Sequence, residues 1–479
     1  MFHNIGLLPA WTDELFTLDV AHLAPKEILA RLALDIHPPL YYFQLHAAQR
    51  LAGGPSVELY RGISALWALA LVFLLDRLWI GGWKQPHRWM ALSLLALSPC
   101  LLLYGRMARS YTMQAALALL AAWAARRWLK APGAPWRLAF AAAALFAVLL
   151  YTHYVPGLAL LVGFTAMAVR RAGWKKAAVF AASVLLLYLP WLGVLVYALS
   201  RWQAAADFSS RYLLTGNPLA EQFIKLAFAW TSFSIGESFP SVSLLLPAAL
   251  LLLLAGGLRR SGMLRGAAGG AVALSAVLGF LAVSRWVSYP FTPARLLWLL
   301  PFIVLGWTAG FDRLRPAAAR WVLFSAVVLS YLISMDYYFQ KRDFLNPGYS
   351  APLTEIAEAV NRESATGALV LFDAYNTDGL AIGRLLKPGV DWLVVNERTA
   401  EQARRRIEAA RDVWMVRNTR DISPGRLASA IESEACLGRI EMSEQLHPYA
   451  EWQILLMRLL GVEGPPAYFY RVTRCRAPS

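Results

Sequence analysis

The chain has 479 residues, of which 58% are hydrophobic and 16% charged, with a formal net charge of +16. Soluble domains carry about 25% charged residues, so this composition excludes a disordered chain, a collagen-like chain and an ordinary cytosolic enzyme. Residues 1–340 hold 28 Lys and Arg against 12 Asp and Glu, whereas residues 341–479 hold 18 of each. The basic excess therefore lies in the hydrophobic part. This pattern predicts a multi-pass membrane domain over residues 1–340 and a water-soluble domain over residues 341–479.

Apolar runs that can cross a bilayer, which takes about 20 residues, recur throughout the first domain. Residues 138–169 allow one span or two, and the basic clusters on both flanks favour two short helices with a tip at 151–157. We therefore expect about ten α-helical spans. In chain order they cover residues 62–80, 89–104, 111–129, 138–151, 154–169, 177–199, 240–258, 266–284, 296–311 and 321–339.

Charge differs between alternate loops that join these runs. Five of the loops contain 17 Lys and Arg, with only Asp76 and Asp312 among them, and the positive-inside rule places such loops in the cytoplasm. The first loop, residues 1–60, and the C-terminal domain are then expected outside the cytoplasm, in an inner (plasma) membrane protein. Residues 1–12 are too short to span and carry no signal-peptide pattern, so we expect a further helix upstream of Met1.

The C-terminal region has the alternating pattern of an α/β domain. The predicted strands are 368–372, 392–395, 413–416 and 468–472, and the predicted helices are 352–363, 399–411 and 424–434. No glycine-rich dinucleotide fingerprint follows any of these strands. Cys436 and Cys475 could pair across the last two strands if the domain lies in an oxidising compartment, whereas Cys100 is expected to be a small core residue.

Acidic residues are scarce in the membrane half, so Asp13 and Glu14 in the first loop are unusual. They could be catalytic, or they could occupy a solvated loop or the first turn of a helix, where carboxylates are favoured by the helix dipole.

A second motif, DIHPPLYY at 35–42, contains two prolines that cannot continue a helix. The turn would hold Asp35 and His37 at the membrane surface.

Cations are also found where the positive-inside rule disfavours them. Arg106 and Arg109, followed by Tyr111, lie between two spans on the outer side, and Arg295 begins a late span after a loop bearing Tyr289. Cations kept there favour an anionic ligand such as a lipid phosphate, although snorkelling to headgroups is the alternative. His153 lies at the predicted hairpin tip and could equally be an interfacial hydrogen-bonding residue.

In this order the motifs resemble those of the GT-C membrane glycosyltransferases, in particular the bacterial group similar to protein O-mannosyltransferases and the lipid A aminoarabinose transferase. Family members place a spanning helix directly before the acidic pair, and their late motif is Arg-Tyr-Leu, whose tyrosine is missing here. The resemblance covers roughly residues 10–340. Its elements are Asp13-Glu14, His37-Pro38-Pro39-Leu40, Arg106 and Arg109 with Tyr111, and Arg295-Leu296-Leu297.

The resemblance implies a glycosyltransferase of the cell envelope that moves a sugar from a polyprenyl-phosphate donor to a glycan, lipid or protein acceptor on the outer face, with inversion at the anomeric carbon. Asp13 would be the general base, and Glu14 its neighbour that tunes charge or binds acceptor. The remaining candidates divide into donor-phosphate binding (His37, Arg106, Arg109, Tyr289 and Arg295) and support (Asp35, Tyr111 and His153). No metal-ligand spacing is evident, although the carboxylates could recruit a divalent ion.

A transporter or lipid flippase with an extracytoplasmic domain is the alternative class. It predicts ionisable residues near the bilayer midplane and broken helices in two related halves. The sequence has few charges inside the runs and no paired halves that we can detect. A nucleic-acid partner is not expected, because the cations form short clusters between apolar runs rather than one basic surface.

Overall fold

A computed structural model describes residues 1–35, 37–210, 217–260, 267–287, 292–373, 378–395, 399–419, 440–445, 455 and 469–476. The chain forms two compact units. The helical unit comprises Met1–Ile5 and Thr17–Gln340, and the α/β unit comprises Gly6–Phe16 and Lys341–Ser479. Residues 6–16, which contain Asp13 and Glu14, therefore group with the residues after 340 rather than with the helices.

Helices account for most of the chain up to residue 340. A π-helical turn, Leu75–Trp79, continues the fourth helix, and the 3₁₀ turns Ser241–Leu245 and Leu297–Leu299 precede the twelfth and fifteenth. In chain order the α-helices are α1 (Thr12–Ala21), α2 (Pro25–Ala33), α3 (Leu40–Ala52), α4 (Val57–Leu74), α5 (Gln85–Ala96), α6 (Pro99–Gly105), α7 (Tyr111–Lys130), α8 (Trp136–Leu150), α9 (Tyr154–Ala172), α10 (Trp174–Ser210), α11 (Pro218–Ile235), α12 (Leu246–Arg260), α13 (Ala267–Trp286), α14 (Thr292–Leu296), α15 (Leu300–Phe311) and α16 (Ala317–Phe339).

The membrane-spanning character of this unit is confirmed. Among the described residues, seven helical segments are long and apolar enough to cross a bilayer, and α5 with α6, bent by 46°, would add an eighth. The predicted count of ten is not confirmed, because α7 ends in a basic turn and α8 has 15 residues. The seven segments are Val57–Trp79, Tyr154–Ala172, Trp174–Tyr197, Ser241–Arg259, Ala268–Arg285, Thr292–Phe311 and Ala317–Phe339.

Glycines allow some of these helices to approach closely. A Cβ atom on Gly163 of α9 would overlap the Ser275 side chain and the backbone carbonyl of Ala271, both on α13. A Cβ on Gly257 of α12 would overlap the carbonyl of Gly306 on α15 in the same way. Because lipid tails are as apolar as leucine, helices associate in membranes mainly through such close packing. The contact between α9 and α13 matters further because both helices border the cavity described below.

The C-terminal region forms the predicted α/β arrangement. Strand β1 is parallel to β2 and β3, β5 is antiparallel to β3 and β4, and the order across the sheet is β2-β1-β3-β5-β4. The four predicted strands and two of the three predicted helices are confirmed, and the helix predicted at 424–434 lies outside the described residues. The elements are α17 (Leu353–Glu363), β1 (Leu369–Asp373), α18 (Asp378–Leu385), β2 (Asp391–Val395), α19 (Ala400–Ala409), β3 (Val413–Thr419), β4 (Ile440–Gln445) and β5 (Phe469–Arg476), after a 3₁₀ turn at Pro347–Ser350.

The core of the α/β unit lies between α19 and the sheet. Leu371 of β1 and Met415 of β3 pack with Ala403 and Ile407 of α19, as expected for alternating side chains on one face of a strand. Cys475 is disulfide-bonded, but its predicted partner, Cys436, lies outside the described residues. Cys100 of the helical unit is a buried free thiol, which matches its predicted role as a small core residue.

Candidate functional site

The helical unit contains an open cavity of about 70 Å³, several times the roughly 10–15 Å³ that one water molecule needs. It is bordered by the turn before α3, the α6–α7 turn, the start of α9, the end of α13 and α14. Four of the candidate site residues from the sequence line this cavity: His37, Arg109, His153 and Arg295. The lining comprises His37, Pro38, Tyr41, Tyr42, Arg109, Ser110, Thr152, His153, Tyr154, Val155, Ala282, Val287 and Arg295.

The proline-containing turn brings His37 to the cavity wall. Pro39 is the N-cap of α3, so the chain is non-helical until Leu40, whose N–H donates to the Tyr151 carbonyl at 3.0 Å. This bond connects the turn to the tip between α8 and α9. The Asp35 Oδ1 lies 2.7 Å from His37 Nδ1, so the carboxylate orients the imidazole from behind.

Arg109 lies on the opposite side of the same imidazole. Its guanidinium donates to His37 Nε2 at 2.6 Å, to Thr17 Oγ1 at 3.1 Å and to Tyr42 Oη at 3.4 Å. Ser64 Oγ donates to its backbone carbonyl at 3.0 Å, and the residue is 4% exposed. A buried, hydrogen-bonded guanidinium held at a cavity wall is a preorganised site for an anion.

Arg295 adds a second guanidinium to the cavity wall. It donates to the Tyr111 hydroxyl and lies 5.2 Å from the centre of that ring, while Arg109 lies 6.0 Å from the same ring. Tyr111 therefore contacts both cations, and its predicted supporting role in the site stays a prediction. Gln114 Nε2 also donates to the carbonyl of Ala294 at 2.9 Å, which ties α14 to α7.

His153 is the N-cap of α9, and its Nδ1 accepts from the Val155 N–H at 3.3 Å. Burial lowers the pKa of His153 well below its ordinary value, and the charges of Arg295 and Arg109 act in the same direction. The imidazole is therefore neutral near pH 7, with its proton on Nε2. It can donate a hydrogen bond into the cavity but adds no charge.

Sequence reasoning missed a buried carboxyl group behind Tyr111. The rings of Tyr104 and Tyr111 lie edge to face with centres 5.8 Å apart, and the Tyr104 hydroxyl donates to Glu237 Oε1. Ser232 Oγ also donates to this oxygen at 2.8 Å, and Glu237 is only 2% exposed. Glu237 is the only acidic residue among residues 222–258, and this isolation was the signal that could have identified it.

The acidic pair occupies the first turn of α1, in the part of the chain that belongs to the α/β unit. Glu14 is fully buried, its Oε2 lies 3.4 Å from the Trp11 N–H, and Asp13 is partly buried. The structure thus matches the helix-terminus alternative for their location, which leaves their catalytic role as a prediction.

Arg106 makes different contacts from Arg109. Its guanidinium donates to the backbone carbonyls of Met1, His3 and Asn4 and to the Tyr338 hydroxyl. It also lies 5.2 Å from the centre of the Phe339 ring. These contacts organise the N-terminal segment, and the predicted phosphate-binding role of Arg106 stays a prediction.

Two further predictions concern ligands of the site. Tyr289 lies outside the described residues. Within the described part of the chain, no group of three or more His, Cys, Asp or Glu side chains is arranged to hold a metal ion.

Comparison with known proteins gives a likeness of fold only. No protein-family model and no curated protein matches the chain. Among solved structures, it is similar to ArnT from Cupriavidus metallidurans in the apo state and bound to undecaprenyl phosphate, with 14% identity over 92% of this chain and 89% of that chain and TM-scores of 0.47 and 0.46.

It is also similar to the arabinofuranosyltransferase AftD from mycobacteria, with 17% identity over 99% of this chain but 41% of that chain and a TM-score of 0.37. Identities and TM-scores this low assign no activity, so the function is argued from the cavity.

Proposed function

We propose that the protein is a membrane glycosyltransferase that moves a sugar from a polyprenyl-phosphate donor to an acceptor on the outer face of the inner membrane. The observation that carries the proposal is the pair of guanidiniums, Arg109 and Arg295, which share Tyr111 and face one cavity with His37. The Asp35 carboxylate contacts His37 on the side away from Arg109. The cavity wall is therefore positively charged and suited to a phosphate.

The location of the cavity favours a phosphate that is attached to a lipid. His153 and Tyr154 lie at the start of the candidate span Tyr154–Ala172, and Ala282 lies near the end of the candidate span Ala268–Arg285. The cavity is therefore at one end of two spans, close to where a bilayer interface would be. A polyprenyl chain could remain in the hydrocarbon while its phosphate occupies the cavity.

The cations have a direct role in the proposed chemistry. Breaking the bond between the anomeric carbon and the phosphate oxygen leaves negative charge on the phosphate, which preorganised donors stabilise in the transition state. Inverting transfer needs one general base to take the proton of the acceptor hydroxyl. We assign this role to Asp13, with Glu14 beside it, from the sequence motif alone.

The direct test is to incubate the purified protein in lipid nanodiscs with a panel of polyprenyl-phosphate sugars and acceptor glycans and lipids. We expect release of the polyprenyl phosphate and a glycosylated acceptor with at least one donor. Donor binding with movement across the bilayer and no sugar release would contradict the proposal in favour of a lipid flippase.

Variants separate the two proposed roles. Asp13→Asn keeps size and hydrogen bonding but removes the base, so turnover should fall by about 10²–10⁴-fold with little change in donor affinity. Arg295→Ala should weaken donor affinity as well as turnover, because it removes a cation that contacts the phosphate. Both effects are measured by initial rates over a range of donor concentrations.

Matched controls are available in the same elements. Asp19→Asn changes an exposed acidic residue on α1, and Arg285→Ala changes an exposed basic residue at the end of α13. Turnover by Asp13→Asn equal to that of Asp19→Asn would remove Asp13 as the base and leave Glu14 as the next candidate. Thermal unfolding of all four variants shows whether the fold is retained.

A further inference from the structure

The contacts of His37 determine which of its ring nitrogens carries a proton. An arginine nitrogen can only donate, so the distance of 2.6 Å from Arg109 requires His37 Nε2 to be an acceptor. The ring proton must therefore lie on Nδ1, where it is donated to Asp35 Oδ1 at 2.7 Å. In this geometry His37 is neutral and presents a lone pair, rather than a proton, on the side that faces Arg109.

A bound phosphate reverses this requirement. Phosphate oxygens accept hydrogen bonds from Arg109 more strongly than a neutral imidazole does, because both donor and acceptor then carry a charge. A phosphate oxygen next to His37 Nε2 also needs a donor there, and the neutral ring with its proton on Nδ1 has none. Moving the proton from Nδ1 to Nε2 would instead leave two acceptors, Nδ1 and Asp35 Oδ1, facing each other at 2.7 Å. Only the doubly protonated imidazolium satisfies both Asp35 and the phosphate.

The charged groups around His37 favour its protonation when a phosphate binds. Among the described residues, the groups that contact His37 or share the cavity wall with it include Asp35 from its own turn, Tyr42 from α3, Arg109 from the α6–α7 turn, His153 from the α8–α9 turn and Arg295 from α14. In the absence of a bound anion, the guanidiniums of Arg109 and Arg295 disfavour a positive charge on His37. A phosphate neutralises at least one of them, and the Asp35 carboxylate then stabilises the imidazolium.

We propose that the cavity binds a phosphate group together with one proton, which is taken from solvent onto Nε2 of His37. The inference rests on the proposed function, because the phosphate is that of the lipid donor or of the released polyprenyl phosphate. The step is a proton transfer: hydronium or a buffer acid gives up one proton, an N–H bond forms at Nε2, and Arg109 exchanges His37 for a phosphate oxygen. The site would therefore hold its lipid more tightly as the pH falls.

The choice of ligand separates protonation of the protein from protonation of the phosphate. A phosphate monoester itself titrates near pH 6, whereas a phosphodiester has no group that titrates near neutrality. We would therefore use the monomethyl ester of a polyprenyl phosphate as the main probe and the parent polyprenyl phosphate as the second. Isothermal titration calorimetry at pH 7.5, in two buffers with different heats of ionisation, counts the protons taken up on binding.

We expect the wild-type protein to take up about one proton with the methyl ester, so that its Kd rises about tenfold for each unit of pH above 7.5. His37→Gln, which still accepts from Arg109 and can donate to phosphate, should bind with no proton uptake and with a Kd that does not depend on pH. Asp35→Asn removes the carboxylate that stabilises protonated His37, so it should lower the number of protons taken up on binding. His22→Gln, which removes an exposed histidine, is the matched control and should behave as wild type.

Binding of the methyl ester without proton uptake would overturn this inference and leave the proposed function intact. The same uptake in His37→Gln as in wild type would also overturn it, because the proton would then go to another group. If neither lipid bound to the folded wild-type protein, the lipid-phosphate site itself would be wrong, and the proposed function would fail with it.

Discussion

Arg106 and Arg109 lie three residues apart in one turn and yet have different surroundings. Arg106 donates to the backbone carbonyls of residues 1, 3 and 4, whereas Arg109 donates to Thr17, Tyr42 and His37 at the cavity wall. Both are almost fully buried, so neither simply extends to lipid headgroups. At the scale of single residues, the partner that reaches each guanidinium determines what the side chain can do.

Glu237 is expected to make the stability of the protein depend on pH. Burial raises its pKa to about 7, although the hydrogen bonds from Tyr104 and Ser232 act in the opposite direction. A carboxyl group whose pKa is higher in the folded state binds more protons there than in the unfolded state, so it opposes folding as the pH rises from about 4.5 to 7. Replacing Glu237 with Gln removes this effect.

We expect Glu237→Gln to have little effect on stability at pH 5 and to stabilise the protein at pH 8, by an amount on the order of 3 kcal/mol at most. Thermal unfolding followed by circular dichroism in detergent at both pH values measures the difference. Glu58→Gln changes an exposed carboxylate at the start of α4 and is the control. An effect of Glu237→Gln that is the same at both pH values would contradict the prediction.

At the scale of helices, the packing of α9 against α13 determines whether the cavity is complete. The start of α9 carries Tyr154 and follows His153, and the end of α13 carries Ala282. The two helices approach where Gly163 faces Ser275 and the Ala271 carbonyl. A shift of either helix would therefore change the cavity wall without altering any residue that lines it.

Gly163→Ala tests this relation. The added methyl group has to displace α13, because it meets backbone as well as a side chain, and overpacking typically costs about 1–3 kcal/mol. We expect a lower unfolding temperature and weaker binding of a polyprenyl phosphate, both measured on the purified protein.

Gly193→Ala is the matched control, since a Cβ at Gly193 of α10 has no atom within 4 Å. Alanine is the better helix former by about 1 kcal/mol, so this variant should be neutral or slightly stabilised. Equal behaviour of the two variants would show that the α9–α13 contact tolerates the extra methyl group.

At the scale of the whole molecule, orientation in the membrane follows from charge rather than from the fold. The 17 cations of the alternate loops predict that these loops are cytoplasmic and that residues 341–479 are not. Among the described residues, helices cover most of each predicted apolar run, but seven of these segments, or eight with α5 and α6, are long and apolar enough to span, so the orientation stays a prediction.

A reporter that is active only in the cytoplasm tests the orientation. Fused after Ser479, it should give no signal, whereas the same reporter inserted after Lys130, between α7 and α8, should be active. Matched amounts of both fusions in the membrane fraction exclude a difference in expression. Activity of the fusion after Ser479 would show that the orientation is reversed or that a predicted span does not cross the membrane.

The amino-acid sequence alone was sufficient for features that depend on short-range patterns. Apolar runs predicted the helices from α4 to α10 and from α12 to α16 but not α1, α2, α3 and α11. The β-branched runs predicted β1, β2, β3 and β5, and the two prolines predicted the non-helical turn at His37. Each follows from local burial periodicity or from backbone geometry, which involve neighbouring residues only.

Only the tertiary structure decided which polar residues meet. Arg109 and Arg295 are 186 positions apart and share Tyr111 because α7 packs against the 3₁₀ turn Leu297–Leu299 that directly follows α14. The grouping of residues 6–16 with the α/β unit and the burial of Glu237 behind Tyr104 likewise depend on contacts between distant segments. Such contacts are determined by the packing of whole helices against one another, which the spacing of residues along the chain does not specify.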